Sequence, residues 1–278
     1  MDDRLRRRAL VVVAVVVATL FLAGCGAASP SSPPSAAVGP GGSTAGTPAV
    51  TPAPPAPTGP LALISCHDGE ECPVDAGSYV TEGPYAFMPG LAITIPAGWF
   101  LTEQDNGELS IRPNDHRDSV LFLWKDLDVI VSSHRTAPAG TVVPAAGATP
   151  ESIVRWFTTN PDFRVLAAPK AAKLAGGTTG TVLDLGISKT ANYGDPDCPG
   201  NPRCADLFKD VIHWGNNFYG IGGLEVIRLF VATVEYPTGN HIFLMAMDVP
   251  SADALKSFAT EAQPIIDSLR LPETWFAN

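Results

Sequence analysis

The stretch from Glu225 to Val249 constrains the fold of this chain more than any other. Glu225 to Glu235 and His241 to Val249 are two strongly apolar runs around Pro237-Thr238-Gly239-Asn240, residues that turn a backbone sharply. Apolar side chains stand at consecutive positions, so both sides of each run must be removed from water. That is the property of central strands in a sheet covered on both faces. A long hairpin at the centre of such a sheet is therefore predicted. Arg228 lies inside the run VIRLFVATV and Asp184 inside TVLDL. A charge among apolar neighbours is costly unless paired, so both are expected to reach solvent or each other.

Other strands precede the hairpin. Leu91 to Pro96 alternates and ends at the turn-forming Ala97-Gly98-Trp99. Glu108 to Arg112, Ser119 to Trp124 and Asp128 to Ser132 follow at short spacing and read as an antiparallel meander. Val120, Phe122 and Trp124 fall on one face of their strand, Leu121 and Leu123 on the other. Thr178 to Ile187 is a further strand.

Two helices are predicted. Thr149-Pro150-Glu151 supplies an N-cap, a first-turn proline and an acid ahead of Ile153, Val154, Trp156 and Phe157, and Asn160-Pro161 ends the helix after about ten residues. Pro250-Ser251 opens a second helix, with an apolar stripe at Leu255, Phe258, Ala259, Ala262, Ile266 and Leu269 and a kink expected at Pro264. Few helices among many strands predict an α+β fold, an antiparallel β-sheet flanked by a few α-helices.

The sequence PAGW at Pro96 to Trp99, the segment TPESIVRWF, the strand TGTVLDL after a glycine pair, the hairpin and a closing helix ending in IIDSLRL occur in that order. Together they resemble the PsbP-like, LpqN-type envelope lipoproteins over roughly residues 80 to 271. The resemblance implies an antiparallel sheet flanked by helices and a non-catalytic binding or accessory role. It transfers no site residue, because that fold serves diverse roles.

The first residues read as an address. Arg4, Arg6, Arg7 and Arg8 precede an uncharged run from Ala9 to Gly24, the order of an export signal. Its sixteen residues would span roughly 24 Å as a helix, short of the ~30 Å hydrocarbon core. The run ends in Leu22-Ala23-Gly24-Cys25, which resembles the lipobox of bacterial lipoproteins. That resemblance implies cleavage of residues 1 to 24 as a signal peptide and acylation of Cys25. The membrane is then a partner through the acyl chains, and the location is the extracytoplasmic face of the cell membrane.

Residues 25 to 60 read as a lipid-anchored, disordered tether. From Gly26 to Pro60 there is no charged residue, and ten prolines stand among Ala, Ser, Gly and Thr. Such a segment cannot bury enough surface to offset chain entropy. As a flexible coil it would reach on the order of 30 Å. Residues 61 to 278 remain as a single globular domain. Losing residues 1 to 24 removes four of 18 basic and two of 28 acidic side chains, leaving a net charge of −12. That balance excludes nucleic acid as a partner.

Outside the anchor stand Cys66, Cys72, Cys198 and Cys204, each pair separated by five residues. In an exported protein two local disulfides are the simplest reading, each worth roughly 2 kcal/mol in the chain-entropy model. A zinc site from the four thiols with His67 is the sharper alternative. Structural zinc usually takes ligands two to four residues apart, so spacing five favours disulfides and no metal is expected.

Catalytic signatures are absent: there is no G-x-S-x-G, S-x-x-K, H-E-x-x-H, P-loop or G-x-G-x-x-G. His67, His116, His134, His213 and His241 are scattered and read as surface or capping residues. Acid pairs such as Asp126 with Asp128, or Glu103 with Asp105, lie in turn-like segments and read as solvated loop acids. The segment from His213 to Gly223 breaks the composition pattern, placing Trp214, Asn216, Asn217 and Tyr219 among glycines beside the second cysteine pair. Aromatic faces with amides suit a glycan or an extended apolar molecule, so His213, Trp214, Asn216, Asn217 and Tyr219 are the candidate ligand-binding residues. No cofactor is implied.

The reading is a tethered, non-catalytic binding or accessory module whose partner is a small apolar molecule, a glycan or a protein. The alternative is an envelope hydrolase acting on cell-wall glycan or another polymer through two carboxyl groups roughly 5 to 9 Å apart. Replacing Cys25 with Ser should keep export but abolish acylation, moving the protein from membrane to soluble fractions. Firm membrane retention of that variant would instead indicate an uncleaved spanning helix.

Overall fold

A computed structural model of the chain describes residues 59–67, 70–105, 107–130, 141–174, 176–191, 203–209 and 218–274. Cys25, the signal and almost all of the tether lie outside these residues, as do Cys198, His213, Trp214, Asn216 and Asn217. No described helix is long and apolar enough to cross a membrane.

The central element is an antiparallel sheet of eight strands. Its order is β2 (Cys72–Pro73), β5 (Trp99–Gln104), β6 (Glu108–Pro113), β7 (Val120–Lys125), β14 (Gly239–Val249), β13 (Val226–Tyr236), β10 (Thr179–Ile187) and β9 (Phe163–Lys173). The predicted hairpin is β13 and β14, paired from Val226 with Val249 to Tyr236 with Gly239, so only Pro237 and Thr238 remain in the turn. It sits at the middle of the sheet, and its consecutive apolar residues are buried on both sides.

Two cores follow from that double burial. One face carries Leu121, Leu123, Met245, Met247, Val226 and Phe230. Helix α3 (Ala252–Ser268) covers it through Leu255, Phe258, Ala262, Ile265 and Ile266, alongside β1 (Leu61–Leu63), β3 (Gly77–Thr81) and β4 (Ala92–Ile95). Those three strands form a small sheet in the order β1-β3-β4. The other face carries Val120, Phe122, Trp124, Leu183, Leu185, Leu229 and Leu244. It is covered by α2 (Pro150–Thr159) and by a second small sheet of β12 (Phe218–Gly222), β11 (Cys204–Lys209) and β8 (Asp128–Val129). The helical turn α1 (Pro144–Gly147) leads into α2.

Both long helices start where their capping residues stand. Thr149 and Ser152 form a reciprocal capping box, with Ser152 N–H donating to Thr149 Oγ1 at 3.2 Å and Thr149 N–H to Ser152 Oγ at 2.9 Å. Helix α2 stops at Asn160, whose extended backbone is what a following proline favours. Ser251 Oγ caps α3 by accepting Ala254 N–H. The helix continues through Pro264 to Ser268.

The α+β expectation is corrected. Strands hold 50 % of the described residues and helices 17 %, a β-rich fold rather than a sheet flanked by helices. Two of the covering layers are themselves small sheets, built from strands of two to six residues. Glu103 is likewise not a loop acid; it is a buried residue of β5, 6 % exposed.

Candidate functional site

Helix α3 does not cover its face of the sheet completely. Its contacts run to β4, β14 and β13, whereas α2 on the opposite face contacts β9, β10 and β13. The outer strands β10 and β9 are therefore covered well on one face and only partly on the other. Beside α3 this leaves a groove of about 550 Å³, within the roughly 300–1,000 Å³ range of small-ligand sites.

The floor of the groove comes from three strands: Leu166 of β9, Asp184 of β10 and Arg228 of β13. Its helical wall is Ala252, Leu255 and Ala259, with Lys256, Thr260 and Gln263 on the rim. Residues 252, 255, 259 and 263 recur at three and four, so one stripe of the helix faces the opening.

Asp184 and Arg228 stand opposite each other in the β10–β13 register. The Arg228 Nε–H donates to Asp184 Oδ1 at 2.7 Å and Nη2 donates to Oδ2 at 2.8 Å, a bidentate pair. The Asp184 side chain is 10 % exposed and that of Arg228 29 %. Hydrogen bonding to Asp184 raises the Arg228 guanidinium above its ordinary value; the Asp184 charge adds to this, while burial acts the other way. Both charges flagged by the sequence thus reach each other. Both carboxylate oxygens of Asp184 are occupied, which leaves it badly placed to act as a nucleophile or base.

Of the sequence-derived site residues, those that the structure describes lie elsewhere. Cys66 and Cys72 are joined in a disulfide with Cα atoms 6.0 Å apart. Their thiols, grouped with Glu70, are therefore not thiolates that could hold zinc. Cys204 is disulfide-bonded. Tyr219 is a core residue, 7 % exposed. Its ring lies 4.6 Å from Trp124 and 5.1 Å from Phe122, and its hydroxyl donates to Asp248 Oδ2 at 2.8 Å. His241 sits beside the hairpin turn, bonded to Asp126 and Thr238.

Sequence reasoning missed a set of buried acids on the face opposite the groove. Glu108 accepts the Trp124 indole N–H at 2.9 Å and Asp248 holds Tyr219, so two carboxylates orient aromatic rings. Asp206 is 8 % exposed and is partnered too, as is Glu103.

No family model matches the chain, and no curated protein matches it. Among solved structures it is similar to that of LpqN, involved in cell envelope biogenesis of Mycobacterium tuberculosis. The identity is 13 % over 72 % of this chain and 90 % of that one, with a TM-score of 0.33. A protein from Bacteroides thetaiotaomicron is similar at 10 % identity over 71 % of this chain and 49 % of its own, with a TM-score of 0.29.

The ion pair gives a stability test. Arg228→Met should cost roughly 2–3 kcal/mol in denaturant unfolding because it strands Asp184, less than the ~3–5 of a fully buried pair since Arg228 is partly solvated. Arg228→Met combined with Asp184→Leu should lie within about 1 kcal/mol of the parent. Equal losses in the single and double variants would show that the pair is not a desolvated unit.

Proposed function

We propose that the chain is a membrane-anchored, extracytoplasmic lipoprotein acting as a non-catalytic binding or accessory module of the cell envelope, with the groove beside α3 as its binding site. The anchor reading is supported by the basic start, the apolar run and Leu22-Ala23-Gly24-Cys25. The Cys66–Cys72 bond accords with an oxidising compartment. The proline-rich tether gives the folded part room to move away from the bilayer.

The single observation that carries the binding reading is the chemistry of the groove. An apolar strip of Leu166, Ala252, Leu255 and Ala259 runs beside polar residues, and the one carboxylate of the lining is locked on both oxygens by an arginine. Such a site can hold and orient a ligand. A glycan hydrolase needs a second carboxyl group on the other side of the bond it cuts. The groove lining supplies only Asp184.

The test is incubation of the Cys25→Ser protein with a bacterial envelope lipid and glycan extract, followed by re-isolation and mass spectrometry of what is bound and what is left. The expected result is a component recovered unchanged in mass with the parent and lost with Ala259→Trp, which fills the groove. Products of altered mass, formed by the parent protein and not by heat-inactivated protein, would replace the binding reading with the hydrolase.

A further inference from the structure

The groove is charged against the rest of the chain. The mature chain has a net charge of −12, yet the groove lining holds Arg228 and Lys256 against Asp184 alone. Arg164 adds a third cation at its side. On β9, Arg164 Nη2 and Leu166 Cδ1 each lie 3.7 Å from where a Cβ on Gly186 would stand, so both side chains lean over the same patch of β10. Among the described residues no carboxylate lies within ion-pair distance of Arg164 or Lys256. Lys256 and Thr260 also line an adjoining depression with Asp253, Ser257 and Glu261, so Lys256 stands between the two.

Arg228, which lines the groove, has unused hydrogen-bonding capacity. A guanidinium carries five N–H donors on two usable edges. Asp184 occupies the edge formed by Nε and Nη2, which leaves the end-on edge, Nη1 with the second N–H of Nη2. That edge is preorganised, because the bidentate pair fixes the plane of the guanidinium. A second oxyanion bound there makes charge-assisted hydrogen bonds without reordering the side chain. Leu166, Leu255 and Ala259 line the same groove and carry no hydrogen-bonding side chain.

We propose that the groove takes a single-chain anionic amphiphile: a carboxylate or phosphate head on the end-on edge of Arg228, steered by Arg164 and Lys256, with its apolar chain along Leu166, Leu255 and Ala259. This rests on the groove's being the binding site. The head supplies orientation and the chain supplies buried area, the division of labour usual in small-ligand sites.

Calorimetric titration of the Cys25→Ser protein with decanoate, decyl phosphate, decanol and inorganic phosphate, each below any micelle concentration, tests it. Decanoate or decyl phosphate should bind about tenfold or more tighter than decanol and than inorganic phosphate. The variant carrying Arg164→Glu and Lys256→Glu changes two exposed side chains and leaves the ion pair intact. It should lose about tenfold in affinity for the anionic probes and none for decanol. Decanol binding as tightly as decanoate, or charge reversal without effect, would overturn the anionic head while leaving the groove as a binding site. Inorganic phosphate binding as tightly as decyl phosphate would overturn the apolar half. No binding of any of the four probes would overturn both the amphiphile and the groove itself.

Discussion

Everything in this structure depends on the double burial of four neighbouring strands, β7, β14, β13 and β10. Each places apolar side chains on alternate faces of one sheet, Leu123 against Trp124 in β7 and Phe230 against Val231 in β13. A sheet of that kind is stable only with a layer on each side. The chain supplies each layer by the same device, one amphipathic helix and one three-stranded sheet. The two layers are offset: α2 reaches out to β9 while α3 stays over β13 and β14. The groove is the result of that offset.

One polar interruption of the α3 face lies where cover thins out. Asp184 and Arg228 follow the alternation of Val182 and of Val226 and Phe230, so they point toward the helix side. There each charge is partly desolvated, and only a geometry that satisfies both can persist. The bidentate pair does this and leaves the Nη1 side of the guanidinium without a partner among the described residues. A group held in this manner is suited to recognising a charge on a bound molecule. On the opposite face Glu108 and Asp248 are spent on Trp124 and Tyr219, which makes that side a rigid support for the sheet.

How much of this could be read from the residues follows from where the physics is local. The hairpin and the stripe of α3 were legible, because Val226 to Val249 and Leu255 to Leu269 carry their periodicity in consecutive residues. The cap of α2 was legible for the same reason, with Thr149, Pro150 and Asn160-Pro161 marking both ends. Strand β9 was not: FRVLAAPKAAK has no alternation, and Pro169, Lys170 and Lys173 belong to an edge rather than a centre. Strands β11 and β12 are short, and Gly220 and Gly222 obscure their pattern. The groove was illegible for a different reason. Leu166, Asp184, Arg228 and Ala259 come from four elements, and only the lateral position of α3 brings them together.

The central claim is that a ligand sits between α3 and strands β9, β10 and β13. Hydrogen–deuterium exchange of the Cys25→Ser protein, with and without an envelope lipid fraction, tests it at the level of peptides. Bound ligand should slow exchange in residues 252–263 and 164–168, where backbone amides border the groove and open locally. Protection confined to residues 210–223, with the groove peptides unchanged, would contradict the account and move the site to the aromatic segment.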